Sequence, residues 1–81
     1  MTILPPMEQA AIKALADACN YSLHAHVPTE AVTRRVAKNL RGEAKHALKE
    51  LRKKGLCLKH PTGGSTTWQL TLEGLNVAKS T

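Results

Sequence analysis

The sequence predicts a small α+β domain with a core of three helices, a β-hairpin of two or three strands and a short closing helix. Two patterns carry that expectation. Between Leu40 and Gly55, the apolar residues Ala44, Ala47, Leu48 and Leu51 recur at a spacing that gathers side chains on one helical face, because successive residues turn by about 100°. Beyond Gly55 the period changes. Leu56 and Leu58, then Trp68, Leu70 and Leu72, alternate on either side of a Pro/Gly/Ser loop at residues 61–65, the signature of a β-hairpin.

Residues 1–6 form a short entry segment, and residues 7–19 read as a first helix with Ile12, Leu15, Ala16 and Cys19 inward and Lys13 and Asp17 outside. Ala10, Ala14 and Ala18 add a ridge of small residues at a spacing of four. The ridge has two readings: alanine simply favours helix, or, with the apolar Ile3, Leu4 and Met7, it is a face for close approach of another helix, as in a homodimer through this helix. Residues 20–27 break the helical pattern, and residues 23–27 are expected as a very short strand with His24 and His26 on one face. The pair raises the question of a metal, but no Asp, Glu or Cys lies beside it to complete a ligand set. Surface or strand-edge histidines are expected, and no metal or cofactor.

Pro28-Thr29-Glu30 reads as a helix start, with Thr29 as the cap and Glu30 at the positive end of the helix dipole. This second helix is expected to run to residue 39, with Val32, Val36 and Leu40 inward, Arg34 and Lys38 pointing away and Arg35 at the flank. Only residues 39–42 then separate it from the third helix, which Gly55 stops by taking a left-handed conformation. Two short helices about so tight a connection, the second amphipathic and basic, make a helix-turn-helix arrangement. After the hairpin, Thr71 caps a last helix over residues 72–79 that offers Leu75 and Ala78 to the core.

Eighty-one residues suffice for one domain and one core. The net charge of +6 is unevenly spread. Residues 28–60 hold ten Lys and Arg against Glu30, Glu43 and Glu50, a net of +7, whereas residues 1–27 carry −1 and residues 61–81 carry none. A basic block confined to a helical segment is the footprint of nucleic-acid binding, with anionic membrane or an acidic protein as weaker alternatives. Arg52, Lys53 and Lys54 suit the negative end of the helix dipole, but that cannot account for Lys45, His46 and Lys49 further forward. No apolar run approaches the roughly 20 residues that span a bilayer, and no secretory leader is evident, so a soluble, cytoplasmic protein is expected. Cys19 and Cys57 lie in apolar surroundings and are expected as free, core cysteines. The six carboxylates form no acid–base pair, and there is no nucleophile elbow or phosphate-binding loop, so an enzyme is not expected.

The order helix, short strand, helix, tight turn, basic helix, hairpin resembles the winged helix-turn-helix family of DNA-binding proteins, particularly small regulators of archaea, bacteria and their viruses. The residues that carry the resemblance are Leu48 to Gly55 (LKELRKKG), Leu56 to Leu58 and Trp68 to Gly74 (WQLTLEG), in an order that matches over nearly the whole chain. The turn departs from the family, reading NLRGE where many members have a longer GLS-type turn. A tryptophan in the hairpin also invites comparison with the winged helices that bind Z-DNA. Those pair it with adjacent prolines and with an asparagine and a tyrosine where this chain has Lys45 and Lys49, so Trp68 is expected in the core or at the base of the hairpin.

The resemblance implies sequence-specific binding of double-stranded DNA, as in a transcriptional regulator, with RNA, ribosome or protein binding as alternatives. The third helix would enter the major groove. Its expected contacts are Arg41, Gly42, Lys45, His46, Lys49, Arg52 and Lys53, with Lys45, His46 and Lys49 at base edges. Arg34, Arg35 and Lys38 of the second helix would meet phosphates. The hairpin would serve as the wing, with Lys59, His60, Thr62, Gly63, Gly64, Ser65 and Thr66 at the backbone or minor groove.

Overall fold

The computed structural model describes residues 4–81, and Ile3 and the side chain of Thr62 lie outside the described residues. The elements are α1 (Pro6–Ala18), β1 (Val27–Pro28), α2 (Thr29–Thr33), α3 (Arg41–Lys53), β2 (Cys57–Thr62), β3 (Ser65–Leu70) and α4 (Leu72–Lys79). The strands form one antiparallel sheet in the order β1-β3-β2. This is an α+β domain built on α1, which packs against α2, α3 and α4.

α1 starts with Pro6 at its first turn, where a missing N–H costs nothing. It ends on two left-handed residues, Asn20 and Tyr21 (φ 53° and 56°). The Tyr21 N–H donates to the Ala16 carbonyl at 2.8 Å and the Asn20 N–H to that of Asp17 at 3.1 Å, a Schellman ending with asparagine in the place glycine usually takes. Ile12, Leu15, Ala16 and Cys19 are buried as the period requires. The alanine ridge, however, is not an outward face. Ala14 is buried, Ala18 is half-buried against the core, and only Ala10 is exposed, because the small side chains are used to seat α1 closely among its neighbours.

The second helix is shorter than its apolar period implies. It stops at Thr33, turns through Arg34–Val36, and reaches α3 by a 3-10 turn at Lys38–Leu40. Residues 34–40, not 39–42, thus form the connection. Val32 is fully buried, but Val36 is half-buried and Leu40 is 37% exposed, so the inward stripe fades as the chain leaves the helix. Nor does Thr29 cap the helix. Its hydroxyl accepts the Trp68 indole N–H at 2.8 Å, fastening the hairpin to the start of α2. The short strand is also displaced, from residues 23–27 to Val27 and Pro28 opposite Trp68 and Thr67.

α3 forms as expected, with Ala44, Ala47, Leu48 and Leu51 buried. At its end Gly55 has φ 78°, the Gly55 N–H donates to Arg52 at 3.0 Å and the Leu56 N–H to Leu51 at 3.0 Å. This Schellman pair brings Leu56 back onto Leu51, and both are buried. Leu56 is therefore a helix-end residue, and the strand alternation begins one position later than the sequence pattern suggests. Cys57 faces inward opposite Leu70, Lys59 lies opposite Trp68, and Leu58 is 45% exposed. Trp68 and Leu70 are buried, whereas Leu72 opens α4 and is 62% exposed. The hairpin closes through Gly63-Gly64 alone, with Gly64 at φ 96°.

Thr71 caps α4, accepting the Gly74 N–H at 3.0 Å while its hydroxyl donates to the Gly55 carbonyl at 2.8 Å. Leu75 and Ala78 enter the core. Gly74 rests on the Leu56 peptide so closely that a Cβ would overlap the carbonyl oxygen and lie 2.8 Å from its carbon.

Two substitutions test this packing in chemical denaturation. Leu51→Ala, which empties a fully buried site, is expected to cost about 2–5 kcal/mol. Gly→Ala in a helix ordinarily gains about 1 kcal/mol. At Gly74 the sign should reverse, with a loss of about 1–3 kcal/mol from overpacking against the backbone; a stabilised Gly74→Ala protein would contradict the α4–Leu56 contact.

Candidate nucleic-acid interface

The inner stripe of α3 fixes where its cations point. With about 100° per residue, Arg41, Lys45, Lys49 and Arg52 fall within an arc of about 80°, Gly42, His46 and Lys53 continue it, and Glu43 and Glu50 lie at the far flank. Every one of these residues is exposed except Glu50, which is half-buried. Lys53 pairs with Glu50 at 3.1 Å, and that hydrogen bond, before the added charges of His46 and Lys54, holds the Glu50 carboxyl below its usual range. Lys54 forms an ion pair with the buried Glu8, tying the end of α3 to α1. Among the described residues these are the ion pairs, so Arg41, Lys45, Lys49 and Arg52 have no carboxylate partner.

The helix dipole explains only part of this arrangement. Arg52 and Lys53 in the last turn are favoured by it. Arg41 occupies the first helical position, where the dipole favours an anion, and Lys38 lies just before it. Charge of that sign at that end is unfavourable for the free helix, so folding does not select it.

Arg34 and Arg35 are exposed but are not free ends of a long helix. The Arg34 Nε donates at 3.4 Å to the Glu30 carbonyl, which already accepts the Arg34 N–H at 3.0 Å, and the Arg35 Nη1 donates to the Ala31 carbonyl at 2.9 Å, so both guanidinium groups lie back along the last turn of α2. Lys38 stands apart from them, on the turn that leads into Arg41. The structure thus groups Lys38 with α3 and places Arg34 and Arg35 at the end of α2.

The hairpin residues divide. Gly63 and Gly64 are the exposed tip, Thr62 and Ser65 flank it in register, and Thr66 is half-buried. Lys59 and His60 are in the body of β2, not in the loop. Lys59 shares the inner register of Trp68 and is half-buried. His60 is engaged: its Nε2 donates to the Gln69 Oε1 at 2.8 Å, Gln69 Nε2 donates to the Leu23 carbonyl at 2.6 Å, and its ring stacks on His26 with centroids 4.6 Å apart. No periodicity signalled this network, because it joins the irregular segment 20–26 to the outer face of the sheet. Trp68 is 3% exposed, so of the chain's Trp and Tyr rings Tyr21 is the exposed one.

Behind the cations lies Cys57, whose thiol contacts the Leu48 carbonyl at 3.7 Å. Burial pushes it up to about 12, against a smaller lowering by Arg52. Cys19 is also raised by burial, and both are free thiols. No group of three or more His, Cys, Asp and Glu fit for a metal occurs among the described residues, and no described helix is long and apolar enough to cross a membrane. No family model, no curated protein and no solved structure matches the chain.

Since the Cys57 pKa in the fold lies above the ordinary 9.0, the fold holds the neutral thiol. Its contribution is complete below pH 9 and is lost as pH rises from 9 toward 12, when the unfolded chain ionises first. Native protein at pH 8 should therefore resist alkylation at both cysteines and react in denaturant, as read by mass spectrometry.

Proposed function

We propose that this domain is a winged helix-turn-helix that binds double-stranded DNA in a sequence-dependent way, as a transcriptional regulator does. The observation that carries the reading is the exposed arc Arg41, Lys45, Lys49 and Arg52 on α3, which lacks carboxylate partners and extends toward the helix start against the dipole. α3 has 13 residues, about 20 Å, a length and width that a major groove accepts. In this pose Lys45, His46 and Lys49 reach base edges and Arg41, Arg52 and Lys38 reach phosphates. Arg34 and Arg35 present their remaining N–H groups to the backbone beside them. Gly63 and Gly64 place a side-chain-free tip where the hairpin would approach the duplex. Single-strand recognition is less favoured, since stacking on unpaired bases calls for exposed aromatic rings and Trp68 is spent in the core.

The test is a binding titration with duplex DNA selected from a random library, at several salt concentrations, with hairpin RNA as a control. Replacing Lys38, Arg41 or Arg52 by alanine should weaken binding to all sequences alike and reduce the log–log salt slope by about 0.9 for each phosphate no longer neutralised. Lys45→Ala or Lys49→Ala should instead lose about 1–3 kcal/mol on the preferred site and less on others. Gly42→Ala meets open space and should leave the fold intact, so any fall in affinity there reports close approach to the DNA. If Lys45, His46 and Lys49 are replaced together and binding is unchanged, α3 is not the reading element.

A further inference from the structure

The outer face of the sheet holds a contact that neither the core nor the basic helix uses. The rings of His26 and His60 stack there with centroids 4.6 Å apart and planes 19° from parallel. His26 belongs to the irregular segment after α1 and His60 to β2, so the stack reaches across β3, the middle strand. Gln69 of β3 completes the tie. Its Nε2 donates to the Leu23 carbonyl at 2.6 Å, which leaves Oε1 as the atom that meets His60 Nε2 at 2.8 Å. A carbonyl oxygen only accepts, so that nitrogen carries the hydrogen in the neutral ring, and Nδ1 is where a further proton is added. Protonation of His60 therefore leaves the Gln69 bond intact and puts its charge into the stack.

We propose that the His26–His60 stack is a pH-sensitive latch, which holds the segment between α1 and β1 against the sheet at neutral pH and releases it in acid. Histidine is the side chain that gains a charge between about pH 8 and about pH 5. One charged ring can lie over a neutral one, but two unit charges at this separation repel. By strand register the same face carries Pro28, Leu58, Thr67 and Gln69, none of which titrates. The titratable neighbours along the chain are the exposed His24; Lys59, which shares the inner register of Trp68; and Glu30, exposed in the first turn of α2. At the far end of the segment, the Asp17 carboxylate accepts the Tyr21 hydroxyl. Among the described residues no ion pair joins either ring to a carboxylate. The stacked form thus takes up fewer protons than the open one, and by linkage a fall in pH favours opening. His26 is exposed, whereas His60 is half-buried with its Nε2 held, so His26 is the ring that swings away. The release is local. Leu23 and Ala25 still pack on the core, and the Cys19 thiol still meets the Ala25 carbonyl.

The latch does not depend on nucleic-acid binding and is tested without it, by nuclear magnetic resonance on the whole chain at about pH 7.5 and about pH 4.5, on either side of the histidine range. In wild type a ring-to-ring NOE between His26 and His60 should be present at the higher pH and lost at the lower. Amide exchange over residues 22–27, corrected for the intrinsic effect of pH, should rise about tenfold with that loss, while the buried turns of α3 keep their rate. His26→Phe keeps an aromatic ring over His60 but cannot take the second charge. It should hold the NOE and the slow exchange at both pH values. His26→Ala removes the ring and should exchange fast at both. Position 26 is exposed, so neither change disturbs the core. An NOE that survives at the lower pH in wild type, one lost equally in His26→Phe, exchange over residues 22–27 that does not follow it, or slow exchange in His26→Ala would each overturn the proposal.

Discussion

The fold turns on one residue, Leu56, through its N–H, its carbonyl and its side chain. Upstream, the Leu56 N–H closes α3 by bonding to Leu51, and its side chain folds back onto the same turn. Downstream, its carbonyl accepts the Thr71 N–H at 3.4 Å and provides the surface on which Gly74 rests. Thr71 joins the two sides, donating to Gly55 and accepting from Gly74. A helix end, the start of β2, the end of β3 and the start of α4 therefore meet within a few residues, and each satisfies polar backbone that another leaves open. The direction of α3 relative to the hairpin is set here. The second tie, Trp68 to Thr29, fixes the other end of the sheet to α2.

That joint explains which parts of the architecture are legible in the sequence. The core face of α3, the stop at Gly55 and the cap at Thr71 are local features, decided within one or two turns of chain by period, left-handed backbone and side-chain oxygen, and all three are found where the sequence places them. The hairpin phase is not local. Leu56 and Leu58 look like one face of a strand, but the helix ending claims Leu56, and with a period of two a single-residue offset sends Leu58 outward and Cys57 inward. Thr29 illustrates the same limit. As a cap it would serve its own helix; a residue 39 positions away supplies an indole N–H that needs burial with a partner, and the hydroxyl goes there.

The end of α2 is the harder case. Val32, Val36 and Leu40 keep a helical spacing, and no glycine or proline interrupts them. At the helix end the guanidinium groups of Arg34 and Arg35 bond back to the Glu30 and Ala31 carbonyls and α1 packs against the helix, and neither feature leaves a signal in the apolar period. Of the candidate site, the α3 cations were readable because helix geometry alone projects them outward. The hairpin residues were not, since the position of the loop depends on strand register: His60 lies in a strand and is held by Gln69 and His26.

The core and the charged face have opposite requirements, and α3 meets both by keeping them on opposite sides of one cylinder. Its inward residues include Ala44 and Ala47, small enough for α1, which packs on α3, to approach closely, and α1 buries alanines of its own at Ala11, Ala14 and Ala16. With no phenylalanine and a single tryptophan, burial comes from tight contact between short side chains more than from large ones. Such a core tolerates little change on its inner face. The outer face is indifferent to it, because Arg41, Lys45 and Lys49 make no ion pair with the rest of the fold among the described residues. Repulsion among them is a cost the folded chain carries alone, and an anionic partner removes it. Substitutions on the two faces should therefore act nearly independently, with stability set by the inner stripe and affinity for an anion by the outer one.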